Sequence, residues 1–163
     1  MAGLNTATFP AFIEANTEIV TPPLVPEIKL RLATEITPIW QATETELEET
    51  GIPPPFWAFC WPGGQALARH IIDNPDIVRG KSVMEFAAGG AVSGIAAARA
   101  GAASVTANDI DPIAVAAAQI NAKLNGVTLT PSTGNLLESI SPTAFDVILA
   151  GDIFYEQSPA VEI

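Results

Sequence analysis

The chain has 163 residues, enough for one domain with a hydrophobic core, and is 48% apolar but only 15% charged. Eighteen acids against seven bases leave a net charge of −11, which excludes nucleic acid as the main partner, since phosphate binding needs clustered Lys and Arg. A mean hydropathy of +0.33 raises the question of a membrane, but the longest uncharged stretch, residues 50–68, holds Pro53, Pro54, Pro55 and Pro62 and cannot form a spanning helix.

Residues 1–51 carry eight glutamates against Lys29 and Arg31, with prolines at 10, 22, 23, 26 and 38. They read as an irregular N-terminal arm with short helices near residues 11–19 and 41–50, because prolines this dense interrupt anything longer. Residues 52–163 are richer in Ala and Gly and form the core. A helix is expected over 64–72, ahead of Asn74-Pro75. A short apolar run at 82–86 reads as a buried strand, followed by a helix over 92–100 that Gly101 stops. Strand 104–107 ends at Asn108-Asp109. The strongest helical pattern is 112–125, with Pro112 in its first turn and Asn125-Gly126 at its end. Residues 127–130 are the third strand and 145–150 the fourth.

Strands separated by helices of this length imply βαβ units, hence an α/β fold with a doubly wound, mostly parallel, Rossmann-like sheet. Only about ten residues follow the fourth strand, so a sheet of six or seven strands is left incomplete at the C-terminal side.

In open parallel sheets, ligands bind at the carboxyl ends of the strands, where the strand order reverses. Those ends carry Glu85 with the small-residue turn 87–91, then Asp109-Ile110, then Asn135-Leu136, then Gly151-Asp152 with Tyr155 close behind. Each has a plain structural reading. Small residues pack tight turns, Asp109 and Asp111 can cap the next helix, Asn135 suits a turn, and Asp152 and Tyr155 suit a surface. Their recurrence at four successive strand ends is what favours a site. The first turn runs Ala87, Gly89, Ala91, Val92, without the third glycine of a dinucleotide fingerprint, and no Walker A sequence occurs.

Glu85 with residues 87–91, and Asp109 twenty residues after Gly89, resemble the cofactor motifs of the class I (seven-strand) methyltransferases. The resemblance implies S-adenosylmethionine as cofactor, with Glu85, Ala87 and Gly89 at its methionine part, Asp109 at the ribose, Asn135 and Leu136 at the adenine, and Ile110 also among the cofactor-binding residues. The Asp152-Ile153-Phe154-Tyr155 run is similar to the Asp/Glu-x-x-Tyr/Phe motif of seven-strand protein-lysine methyltransferases. Upstream, Asn16-Thr17, residues 22–28 and the block Pro53-Pro54-Pro55-Phe56-Trp57 through Ala68 resemble the electron-transfer-flavoprotein β-subunit lysine methyltransferases and their bacterial relatives. Compared with that family, Ala87 and Ala91 replace glycines, placing a β-carbon where backbone and ligand approach, and the last three strands of its sheet are absent.

The resemblance implies a protein-lysine N-methyltransferase, with Asp152 and Tyr155 catalytic and Trp61 beside the cofactor. Its acceptor would be the electron transfer flavoprotein β-subunit; alternatives are a ribosomal protein, a small amine such as nicotinamide, or an inactive remnant. Methyl transfer from a sulfonium is an in-line displacement, so alignment matters most. The lysine must lose its proton, which costs roughly 4–5 kcal/mol at pH 7 from a pKa near 10.4. Asp152 attracts the ammonium but raises its pKa, so proton loss to water beside Tyr155 and Trp61 is the expected route. Trp57, Phe59 and Trp61 read equally as core. His70 reads as structural, and one His with one Cys leaves no metal site or Cys-His pair to expect. The lone Cys60 suits a reducing compartment, and residues 1–20 lack the positive charge of a secretory or transit peptide, so the cytoplasm is the expected location.

Overall fold

A computed structural model describes residues 4–42, 53–136 and 144–153. The N-terminal part forms helix α1 (Phe9–Asn16), a two-stranded antiparallel hairpin of β1 (Glu18–Val20) and β2 (Leu30–Leu32), and a single helical turn α2 (Pro38–Gln41). The helix expected near 11–19 thus starts and ends earlier, because Thr17 turns extended (φ −140°) and leads straight into β1. The helix expected over 41–50 falls mostly outside the described residues. The hairpin itself was not foreseen.

Past the 3-10 turn Phe56–Ala58 come α3 (Pro62–Asp73), β3 (Ser82–Phe86), α4 (Val92–Arg99), β4 (Ser104–Asp109), α5 (Pro112–Leu124), β5 (Thr130–Thr133) and β6 (Val147–Ala150). The four strands are parallel in the order β5-β4-β3-β6. Chain order runs one way from β3 to β5 and then returns to the other side of β3. The reversal therefore lies between β3 and β6, and their carboxyl ends are the place for a ligand.

The third strand begins three residues later than the pattern of 127–130 suggests. The N–H groups of Gly126 and Val127 bond to the carbonyls of Lys123 and Ala122, so Val127 belongs to the cap that closes α5. The ladder instead uses Thr130–Thr133, and Pro131 is tolerated because β5 is an edge strand.

Six consecutive residues of α4, Val92 to Ala97, are buried, and the small side chains at Ser93, Gly94, Ala96 and Ala97 suit a helix packed between the sheet and α3. Val25, Ile28, Leu30 and Leu32 of the N-terminal part share one core cluster with β3, β4 and α4. Side-chain amides on one face of α5 fix this docking. Fully buried Asn121 accepts from the Arg31 N–H (2.8 Å) and donates to the Gly90 carbonyl (3.0 Å), while Asn125 accepts from the Lys29 N–H (3.0 Å). Asn121 so ties the hairpin, α5 and the turn after β3 together. We expect Asn121→Ala to lower unfolding free energy by about 2 kcal/mol in urea titrations, since two backbone groups lose buried partners. A loss under about 0.5 kcal/mol would mean that these groups find other partners.

Candidate cofactor and acceptor site

A cleft opens at the β3–β6 switch point. Its lining includes Glu85 and the turn 86–90 after β3, Val92 and Ser93 of α4, Gly151 and Asp152 after β6, and Phe59, Cys60, Trp61 and Gly64 from the segment entering α3. Of the residues singled out at the ends of β3 and β6, Glu85, Ala87, Gly89, Gly151 and Asp152 meet in one place, joined by Trp61 and Gly64.

Glu85 is 4% exposed and its carboxylate faces the first turn of α4. One oxygen accepts from both the N–H and the hydroxyl of Ser93, the other from the Gly94 N–H (3.0 Å). The strand thus supplies the cap that Ala91, at the helix start, cannot. A β-carbon at Gly94 would lie 2.5 Å from the Glu85 carboxylate, so only glycine fits there. Burial pushes the Glu85 carboxyl up to about 7; the bonds from Ser93 and Gly94 pull it back, and the charge of Asp109 adds to the rise.

Ala87 and Ala91 both adopt left-handed backbone (φ 50° and 61°), at a cost of about 1 kcal/mol each for a residue with a β-carbon. Their side chains have different fates. Ala91 is fully buried in the core cluster and is not part of the cleft lining, so its β-carbon does not intrude on a ligand. Ala87 is exposed and lines the cleft.

Asp109 ends β4. Its Oδ2 accepts from the Gly89 N–H (2.9 Å) and its Oδ1 from the Asp111 N–H (3.0 Å), so it holds the turn after β3 as well as its own. Asp111 separately caps α5 by accepting from the Ile113 N–H. Ile110 is 74% exposed beside Asp109, a large apolar side chain with no core to cover it. Asn135 and Leu136 follow β5, exposed and half-buried respectively. Buried Asn108 secures that loop by donating to the Ser132 and Gly134 carbonyls.

Asp152 is exposed but not idle. Its Oδ1 accepts from the Gly63 N–H (3.0 Å) and its Oδ2 from the Gly64 N–H (2.7 Å), capping α3 from the end of β6. Sequence reasoning placed this carboxylate at the rim without these partners. The signal was the Gly63-Gly64 pair: a β-carbon at Gly151 would lie 2.9 Å from the Gly64 nitrogen, so the two chain segments touch backbone to backbone. Tyr155 lies outside the described residues.

The three aromatic residues whose role was open divide. Trp57 is buried with Phe9, Ile13 and Ile113 and belongs to the core. Phe59 and Trp61 border the cleft, and Trp61, 46% exposed, is fixed by donation from its indole N–H to the Phe56 carbonyl. Cys60 sits between them, its thiol pushed up to about 12 by burial and by the charges of Glu85 and Asp152, which leaves no thiolate for nucleophilic work. Among the described residues no group of His, Cys, Asp and Glu could hold a metal, and no helix is long and apolar enough to cross a membrane.

Comparison with known proteins gives relatives in line with this geometry. The chain is 42% identical over 154 residues to the electron transfer flavoprotein beta subunit lysine methyltransferase of Rattus norvegicus, a match covering 92% of this chain and 58% of that protein. It therefore spans little more than half the length of such relatives. The ribosomal protein L11 methyltransferase of Geobacillus kaustophilus is 47% identical over 73 residues, 44% of this chain and 23% of that one. A solved Streptococcus mutans structure assigned to the S-adenosylmethionine-dependent methyltransferases shares the fold, with a TM-score of 0.53 at 12% identity over 76% of this chain and 27% of that one. The profile of the family described as ribosomal protein L11 methyltransferase (PrmA) matches residues 67–154, from α3 through the Asp152 turn, and the chain belongs to that family.

Proposed function

We propose that the chain carries the cofactor-binding core of an S-adenosylmethionine-dependent methyltransferase acting on lysine side chains of a protein. In this reading residues 52–163 are that core and residues 1–51 an N-terminal arm, whose Val25, Ile28 and Leu30 share the core cluster. The observation that carries it is the cleft at the β3–β6 reversal, with the Asp109 carboxylate tethering its glycine turn. The residues fit the cofactor. Asp109 uses two of its roughly four lone-pair positions on Gly89 and Asp111, leaving acceptors for the hydroxyls of a ribose. Exposed Ile110, with Asn135 and Leu136, offers an apolar and hydrogen-bonding seat for adenine. Glu85, Ala87, Gly89 and Trp61 would hold the methionine part. S-adenosylmethionine supplies a methyl group activated on a sulfonium.

The rest falls to the protein. Asp152 draws a lysine ammonium to the rim, although its bonds from Gly63 and Gly64 temper that pull. Its charge also keeps the proton on, so the proton leaves to water as the amine reaches the ring face of Trp61. The resemblance of the Asp152–Tyr155 run to the lysine-methyltransferase motif gives Tyr155 a part in the same step. The relatives' names favour the electron transfer flavoprotein β-subunit as acceptor, with a ribosomal protein as the second reading. A single cysteine and the lack of a long apolar helix among the described residues suit a cytoplasmic setting.

Calorimetry with S-adenosylhomocysteine tests the reading. Micromolar binding is expected, and no binding by a folded chain would overturn it. Asp152→Asn keeps an oxygen for one glycine N–H while removing the charge. It should leave that affinity within about threefold but cut transfer of labelled methyl to the flavoprotein β-subunit at least about tenfold, a loss of about 1.4 kcal/mol in transition-state binding. Undiminished transfer would remove Asp152 from the mechanism.

A further inference from the structure

Next to the cleft lies a second groove, lined by Val20, Pro22, Leu32, Trp40, Phe59 and Trp61 among others. Cleft and groove share Leu32, Phe59, Cys60 and Trp61 as a common wall. Aromatic rings of its lining form a row: Trp40 stands 5.5 Å from Phe59, and Phe59 stands 6.0 Å from Trp61. Trp40 is 48% exposed, so much of its surface stays open to solvent instead of being spent on the core.

Among the described residues no charged side chain lines this groove. Glu18 stands close to it: it pairs in register with Leu32 and accepts from the Thr34 hydroxyl. Arg31 is turned away, since neighbours along a strand alternate faces and its guanidinium bonds to Thr17 and Glu14. β1 is paired on one side only, leaving a backbone edge beside the groove.

An aromatic trough with Glu18 nearby, in a chain of net charge −11, suits a cation on a flexible apolar stem. We propose that this groove receives an extended, lysine-bearing segment of the acceptor protein, with Trp40 as a specificity-determining residue that holds the stem and ammonium of a lysine. The proposal rests on the methyl-transfer reading for the nature of its occupant. Trp40 is not one of the strand-end residues and does not itself line the cofactor cleft, which it meets only through Phe59.

The test is fluorescence anisotropy with labelled decalysine, in about 0.15 M salt to suppress diffuse attraction, in the presence of S-adenosylhomocysteine. Decaglutamate is the control. Decalysine should bind, Trp40→Ala should weaken it at least tenfold at unchanged net charge, and Trp40→Phe should stay within threefold; decaglutamate should not bind. Equal decalysine affinity in Trp40→Ala and the unmodified chain would overturn the proposal, as would equal binding of decaglutamate. Calorimetry of the same variants with S-adenosylhomocysteine alone separates the two ideas. Intact cofactor affinity with a null peptide result sinks only the groove, whereas lost cofactor affinity in the unmodified chain sinks the methyl-transfer reading.

Discussion

Asp109→Ala should reduce the affinity of the chain for S-adenosylhomocysteine at least a hundredfold, about 2.7 kcal/mol or more. Two losses combine. The variant removes the carboxylate proposed to accept from the ribose, and it frees the Gly89 N–H, whose 2.9 Å bond to Asp109 ties the turn after β3 to the end of β4. Ala87, in left-handed backbone in the same turn, would then find a conformation cheaper than φ 50°, and the cleft would lose its preformed shape. Asp109→Asn discriminates between the two losses. Its amide oxygen can still accept from Gly89, so affinity intermediate between alanine and the unmodified chain would assign part of the effect to the turn. A reduction below tenfold in Asp109→Ala, in a chain whose thermal melt remains cooperative, would show that Asp109 does not face the ligand.

The run from β3 to α5 was legible in the sequence because each element there carries an undivided signal. Residues 82–86 are an apolar run buried on both faces, and 112–125 combine proline, helical spacing and a terminal Asn-Gly. The hairpin was not legible because three-residue strands are too short for alternation to show, and what holds β2 is contributed by Asn121 and Asn125 some ninety residues away. β5 was displaced for a similar reason. Val127 and Leu129 look like strand residues, but Val127 is needed by the helix cap and Pro131 is excluded only in a central strand. For the site, the order of strand ends foretold which residues would gather at β3 and β6. It could not foretell that Glu85 and Asp152 each cap a helix, since that depends on the reach of a side chain across a packed interface. The glycines at 63, 64, 94 and 151 record those contacts and give the sequence its only trace of them.

The buried carboxyl of Glu85 makes a prediction with a definite sign. Its value in the folded chain is raised from 4.5 to about 7, so between those limits the folded state holds a proton that the unfolded state releases. Stability contributed by this group is full below about pH 4.5 and is lost as the pH rises through about 7, by up to about 3 kcal/mol. Glu27 and Asp146, held low by Arg69 and by Ser82, act in the opposite sense and at more acidic pH, outside this window. Glu85→Gln carries no titrating group. Its amide must set an N–H against the Gly94 N–H, a cost that does not vary with pH. Urea unfolding of both proteins from pH 4.5 to 8 should therefore give a difference that changes steadily with pH and favours the unmodified chain most at the acid end. A constant difference would mean that the donors of Ser93 and Gly94 outweigh burial, and that Glu85 faces the start of α4 as a full charge throughout this range.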